Sequence, residues 1–151
     1  MDPRLDSLPD AFWAVPYTGS RYPGSPAVSR LPGLAPGANC QLFAYEVLRH
    51  FGRSVPPLRS SELWNDTRHT ARVARPDFLD LLFFNADTDP YGAHVGVWAG
   101  PDAVLHLSSE VGRPAVWSLA DFTGHDRYRV LLGAKRAGPG GAGTPLDLIG
   151  K

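Results

Sequence analysis

One cysteine and two of the five histidines are the residues of this 151-residue chain whose types and order could do nucleophilic chemistry. Cys40 falls in the first turn of a predicted helix, and His94 and His106 fall on two later predicted strands. A thiolate attacks carbonyl carbon, and a nearby imidazole can take the thiol proton and return it to a leaving amine. The set predicts covalent catalysis, with Cys40 as nucleophile, His94 as general base and His106 as the residue that orients the base.

The helix that carries Cys40 is predicted from its ends and its apolar face. Asn39 is a favoured N-cap and Gly52 a favoured stop, and the apolar residues Phe43, Val47, Leu48 and Phe51 recur at helical spacing. The helix dipole and a neighbouring imidazolium are expected to stabilise a Cys40 thiolate. Backbone N–H groups near Cys40 are expected to form an oxyanion hole, to which the Gln41 side chain could add a donor.

The two histidines are predicted to share one face of a β-hairpin. Side chains alternate along a strand, so the valines of the first strand share one face while His94 and Trp98 share the other. In the second strand the leucines share one face and His106 takes the other. Matching the apolar faces requires a turn with an odd number of residues, and a turn centred on Gly100 places His94 opposite His106.

Composition excludes several other classes of protein. Fifteen basic and fifteen acidic residues cancel, so no basic surface indicates nucleic acid or an anionic membrane as a partner. No apolar run approaches the roughly 18 residues that span a bilayer. The first six residues lack the pattern of a secretory leader, so a cytoplasmic location is expected, or a secreted one if a leader has been removed. No phosphate- or dinucleotide-binding motif is present, and no cofactor is expected.

The remaining patterns predict a single α+β domain at 1–137 and a flexible Gly-rich tail at 138–151. Residues 1–38 are rich in Pro and Gly, with a short helix or turn near 8–14 followed by extended loop. Helices precede a mostly antiparallel sheet. The other predicted elements are a serine-capped helix at 60–64 and strands at 78–84, 93–99, 103–109, 127–134 and, more weakly, 114–118.

An ordered set of short motifs resembles the NlpC-type cysteine peptidases, papain-like enzymes that cut bacterial cell-wall peptides. The resemblance covers residues 12 to 136. Its motifs are Pro16-Tyr17-Thr18-Gly19, Asn39-Cys40-Gln41-Leu42-Phe43, Leu79-Asp80-Leu81-Leu82-Phe83-Phe84, His94-Val95-Gly96-Val97-Trp98, Val104-Leu105-His106 and the closing run from Tyr128 to Arg136.

The resemblance implies a papain-like fold, a Cys-His-His triad of Cys40, His94 and His106, and a thioester acyl-enzyme. It also implies that Tyr17 lies near the thiol in the substrate cleft, and that the substrate is a murein peptide with a γ-D-glutamyl–diamino acid bond. The family's Asp-Cys-Ser-Gly is Asn39-Cys40-Gln41-Leu42 here, and the stretch between Tyr17 and Cys40 is longer. These departures lie on the substrate side of the cleft, which makes Asn39 and Gln41 candidate substrate-binding residues. Trp98, which shares the predicted face with the histidines, is a third candidate.

Other interpretations stay open at this point. The same triad would serve an acyl or aminoacyl transferase or a small-molecule amidase, and the altered flanks of Cys40 also fit a binding module without catalysis. Zinc binding by Cys40, His94 and His106 is a minor alternative, because their spacing is not that of a zinc finger. Whether residues 18–38 form a lid, and whether the protein forms oligomers, is also open.

Overall fold

The computed structural model describes residues 1–138, so the predicted tail at 138–151 lies outside the described residues except for its first member. The helices are α1 (Pro26–Arg30), α2 (Cys40–His50), α3 (Ser60–Asn65) and α4 (Leu119–Thr123), with 3₁₀ turns at Pro3–Ser7, Asp10–Ala14 and Asp126–Tyr128. The strands are β1 (Thr70–Val73), β2 (Leu81–Asn85), β3 (His94–Trp98), β4 (Val104–Leu107), β5 (Pro114–Trp117) and β6 (Val130–Ala137).

The six strands form one antiparallel sheet in the order β1-β6-β2-β3-β4-β5. Helix α2 packs on one face, where Phe43 and Val47 join Val95 and Leu105 in the larger core. A smaller core, which includes Phe122, covers the other face. The predicted α+β architecture, with the cysteine helix packed on an antiparallel sheet, is confirmed. Within the described residues no helix is long and apolar enough to cross a membrane.

Several predicted element bounds are wrong. The strand predicted at 78–84 begins only at Leu81, and the strand predicted at 127–134 begins at Val130 after a 3₁₀ turn. The helix at Ser60 has no serine cap; instead the Glu62 carboxylate accepts the Arg59 backbone N–H at 2.8 Å. Three elements were not predicted, α1, α4 and β1, because they are five residues long or shorter and carry little periodic signal.

The cysteine helix has the predicted ends. The Asn39 side chain accepts the Leu42 backbone N–H at 2.9 Å, which satisfies one of the free donors of the first turn. At the other end Gly52 has a φ of 82°, and the Arg53 N–H bonds back to the Leu48 carbonyl at 2.9 Å. Both caps are local features of the sequence, and they place Cys40 at the first helical residue.

The predicted hairpin register is wrong by two residues. Val97 pairs with Leu105, and Ala99 bonds to Ala103 across a three-residue turn that is centred on Pro101 rather than on Gly100. A shift of two preserves the parity of the pairing, so His94 and His106 still lie on the same face. They are diagonal neighbours rather than direct partners.

Gly96 lies on the same strand face, between His94 and Trp98, and its missing side chain makes room for Val104 and His106. A Cβ at this position would be 2.5 Å from Cγ1 of the buried Val104 and 3.4 Å from Cβ of His106. The φ angle of Gly96 does not lie in the left-handed region that favours glycine. A larger residue is therefore opposed only by the lack of space for its side chain.

Replacing Gly96 with Ala is therefore expected to lower the free energy of unfolding by about 1–3 kcal/mol, because the core must move to admit a methyl group. Urea denaturation measures the effect. Gly124→Ala is the matched control, since that exposed helix-end glycine has negative φ and its nearest neighbour would lie at 3.5 Å. Equal stabilities of the two variants would contradict the steric argument.

A buried arginine holds the Pro- and Gly-rich segment ahead of the cysteine helix in place. Arg21 is 5% exposed. Its guanidinium donates to four backbone carbonyls, those of Gly37, Ala27, Leu31 and Gly33, at 2.7 to 3.2 Å. Its own carbonyl accepts the Asn39 N–H at 2.9 Å. The segment is thereby tied both to itself and to the N-cap of α2.

Candidate active site

A cavity of about 190 Å³ opens where the start of α2 meets the start of β3. Five of the seven residues that were predicted for the site line it: Tyr17, Asn39, Cys40, Gln41 and His94. His106 lies directly behind His94, in contact with it. The structure thus brings together the three residues predicted to be catalytic, which are separated by 54 and 12 positions in the chain (94 − 40 and 106 − 94).

Cys40 is a half-buried residue at the N-terminus of α2. Burial raises the pKa of this thiol, while the backbone N–H groups of Val95, Gln41 and Cys40 itself pull the pKa down. Val95 directly follows His94, so the sulfur lies against the first residues of β3. The same N–H groups can bind an oxyanion that forms on a carbonyl carbon attacked by Cys40.

His94 and His106 form a hydrogen-bonded pair, with Nε2 of His94 2.8 Å from Nδ1 of His106. Burial and the neighbouring His106 hold the pKa of His94 well below its ordinary value. Burial lowers the pKa of His106 to about 4, although Glu110 opposes the shift. Both shifts favour the neutral imidazole, so they oppose the expected resting thiolate–imidazolium pair.

The pKa directions predict how Cys40 reacts with iodoacetamide. Because burial raises the thiol pKa and His94 is neutral, the alkylation rate is expected to rise through a midpoint above that of the same cysteine in urea-unfolded protein. Rates measured between pH 5 and about pH 10 in both states test this. A folded-state midpoint on the acid side of the unfolded one would show that the ion pair forms at rest.

Two of the predicted substrate-binding residues have other roles. Trp98 does not line the cavity; it packs with Val104 and Phe122 in the smaller core. The Gln41 side-chain amide donates to the Leu58 carbonyl at 3.1 Å and to the Tyr45 hydroxyl at 3.2 Å, so both of its protons are already engaged and none is left for an oxyanion. Only the Gln41 backbone N–H remains near the thiol.

Tyr17 and Asn39, the other two residues predicted to bind substrate, both line the cavity. The Asn39 side chain is the helix cap, which leaves Tyr17 as the more available contact. Burial and the nearby Cys40 raise the pKa of the Tyr17 hydroxyl, so it stays protonated and can donate a hydrogen bond. A neutral donor beside the thiol suits a carbonyl or carboxylate oxygen of a bound molecule.

The charged residues of the cavity were not predicted from the sequence. Arg59 and Arg127 line it, and no acidic side chain of the described residues does. Arg127 Nη1 donates to Glu110 at 2.9 Å and to Ser109 at 3.2 Å, and Tyr128 donates its hydroxyl proton to the same Glu110. The strand predicted at 127–134 includes Arg127 and Tyr128, although clustered polar residues before an apolar strand are typical of a loop.

Two further findings bear on cofactors and relatives. Within residues 1–138 no group of three or more His, Cys, Asp or Glu side chains is arranged to hold a metal ion.

No protein-family model matches the chain, and no curated protein matches it.

One of the solved structures that are similar to this chain belongs to the family that the motifs resemble. The chain is similar to the NlpC/p60 domain of the peptidoglycan hydrolase SagA. The two are 22% identical, with 74% of this chain and 83% of the other covered, at a TM-score of 0.49.

Proposed function

We propose that this protein is a cysteine amidase or peptidase that cleaves an amide bond through a thioester on Cys40, with a murein-type γ-D-glutamyl–diamino acid peptide as substrate. The observation that carries the proposal is the placement of Cys40 and His94 in one cavity, with His94 held by His106 through a 2.8 Å hydrogen bond. A nucleophile, a base and a residue that orients the base are the minimum set for this chemistry.

In the first half of the reaction, the Cys40 sulfur attacks the carbonyl carbon and its proton passes to His94. Because Nε2 of His94 is engaged with His106, Nδ1 is the nitrogen left to take that proton. The backbone N–H groups at the start of α2 stabilise the tetrahedral oxyanion. His94 then gives the proton to the leaving amine as the C–N bond breaks and the thioester remains.

In the second half, water replaces the amine. His94 Nδ1 takes a proton from the attacking water, the thioester C–S bond breaks, and the proton returns to the Cys40 sulfur. The neutral resting pair of thiol and imidazole is restored. This cycle needs no resting thiolate, because the proton moves only when a carbonyl carbon is in reach.

The charges of the cavity support a substrate with carboxylates. Its lining carries two arginines and no acid within the described residues. In a γ-D-glutamyl–diamino acid unit the scissile amide is flanked by a free carboxylate on each side. Both hydrogen bonds that Arg127 donates within residues 1–138 come from Nη1, so the other edge of its guanidinium can take up a carboxylate.

The proposal is tested by mass spectrometry of L-alanyl-γ-D-glutamyl-meso-diaminopimelate incubated with the protein. Release of the diamino acid and a transient acyl adduct on Cys40 are expected. The α-linked L-glutamyl isomer is the control substrate, and Cys40→Ala is the control protein. Absence of product with the wild type, or equal rates with Cys40→Ala, would overturn the proposal.

Replacing Arg127 with Gln is expected to raise KM for this peptide about tenfold, since an exposed charge-assisted contact is worth about 1 kcal/mol or slightly more. A peptide whose carboxylates are amidated should show no such change in KM. Arg127 also lowers the pKa of the Cys40 thiol and of His94, so a change in kcat common to both substrates is a separate effect.

The control for that variant is Arg129→Gln, because Arg129 is exposed and donates to the Ala86 carbonyl outside the cavity lining. An equal rise in KM for the charged and the amidated peptide would contradict the assignment of Arg127 to carboxylate binding.

A further inference from the structure

His106 lies in an aromatic enclosure on the side away from the thiol. Its ring is 1% exposed. The Trp117 ring lies 4.4 Å away between centroids at an angle of 66°, and the Phe122 ring lies 4.6 Å away. The His94 ring closes a third side, 5.0 Å away and almost perpendicular. Apart from the contact with His94, the imidazole of His106 is surrounded mainly by aromatic rings.

The two nitrogens of the His106 ring have different surroundings. Nδ1 faces Nε2 of His94 at 2.8 Å, whereas the buried Nε2 has no hydrogen-bonding partner among the described residues. A neutral imidazole carries one proton, on one nitrogen or the other. The pair can therefore exist in two forms, with the shared proton donated either by His94 or by His106.

Only one of these forms lets His94 act as a base toward Cys40. If His106 donated from Nδ1, a neutral His94 would carry its own proton on Nδ1 and could not accept one there. If His94 donates from Nε2, its Nδ1 keeps a lone pair. His106 must then accept at Nδ1 and hold its proton on Nε2, the nitrogen that lies in the aromatic enclosure.

We propose that Trp117 is a positioning residue for the His94–His106 pair: its indole face receives the Nε2–H of His106 and thereby selects the form in which His94 Nδ1 is free. An N–H directed at an aromatic face is weakly favourable, and a lone pair directed there would be repelled by the negative face of the ring. Water is the usual competitor for a buried N–H, and the indole keeps it out. The inference rests on the proposed function only in making His94 the base.

The other groups around the pair are consistent with a neutral His106. Glu110 raises the pKa of His106 and His125 lowers it, while burial has the largest effect. His125 stacks on Trp117 at 4.7 Å, Tyr128 lies 4.6 Å from His94, and Arg127 lowers the pKa of His94. Opening the enclosure to water should therefore let His106 protonate at higher pH.

The test is ¹⁵N NMR of the full chain labelled at histidine, which reads the protonated nitrogen of each ring without any substrate. The expected spectrum at neutral pH shows protons on Nε2 of both His94 and His106. The Nε2–H of His106 should lie upfield because of the ring current of the indole. A proton on Nδ1 of His106, or an Nε2–H without an upfield shift, would overturn the proposal.

Variants separate the role of the indole from mere packing. Trp117→Phe keeps an aromatic face and should keep the wild-type form. Trp117→Leu should raise the titration midpoint of His106 by about one pH unit or more and mix the two forms. Trp64→Leu is the control, because Trp64 packs on Phe83 in the larger core. It should change neither the titration midpoint of His106 nor the form of the pair.

Unchanged histidine spectra in Trp117→Leu would overturn the role of Trp117. If that variant does not fold, the ring-current shift in the wild-type spectrum still tests whether the Nε2–H of His106 faces the indole. Failure of the proposed function would show differently, as absent turnover with the NMR result intact.

Discussion

Replacing His94 with Gln is expected to lower kcat/KM for the γ-D-glutamyl peptide by about 10³-fold or more, with no loss of folding. Gln has a similar size, and its amide can still donate to Nδ1 of His106, so the buried pair remains hydrogen-bonded. What the variant lacks is a group that can take the thiol proton and return it to the amine. Turnover by mass spectrometry and urea denaturation measure the two effects separately.

Cys40→Ser should lower kcat/KM by at least a similar factor, because a hydroxyl is a much weaker nucleophile at the same position. His69→Gln is the matched control: His69 is exposed, bonds to Asp66 and lies away from the cavity lining. Retention of more than about a tenth of the wild-type activity in His94→Gln would show that another group supplies the proton transfer.

The features that were predicted correctly are those that a few neighbouring residues determine. The N-cap at Asn39, the stop at Gly52 and the apolar face between them are local, so the position of Cys40 at the helix start followed from the sequence. The shared face of His94 and His106 followed from strand alternation. Parity is fixed by the pattern of apolar residues, which is strong in both strands.

The features that were missed depend on turn geometry or on contacts between distant residues. The hairpin register depends on a turn in which Gly100 and Asp102 both adopt positive φ, and nothing in their types fixes its centre to within two residues. Trp98 shares the predicted face with the histidines, yet the chain from Leu119 to Tyr128 covers that part of the sheet and buries it partly. The pKa of Cys40 depends on burial, which the helix N-terminus alone does not reveal.

Replacing Arg21 with Lys is expected to lower the free energy of unfolding by about 3 kcal/mol, because four buried or half-buried carbonyls lose a shared charged donor. One planar guanidinium reaches the carbonyls of Ala27, Leu31, Gly33 and Gly37 at once. An ammonium has three donors at a single point and cannot span them. Arg30→Lys, at an exposed helix end, is the control and should change the free energy by less than about 0.5 kcal/mol.

The same variant tests whether the long segment before the nucleophile acts as a lid. With Arg21 holding four of its carbonyls, we expect residues 22–38 to stay closed in the wild type and to resist trypsin at the exposed Arg30. In Arg21→Lys, cleavage after Arg30 should accelerate. The Arg21 carbonyl also accepts the N–H of Asn39, the residue before Cys40. The alkylation rate of Cys40 should therefore differ between Arg21→Lys and the wild type. Rapid trypsin cleavage of the wild type, with no further gain in the variant, would indicate that the segment opens on its own and gates the cavity.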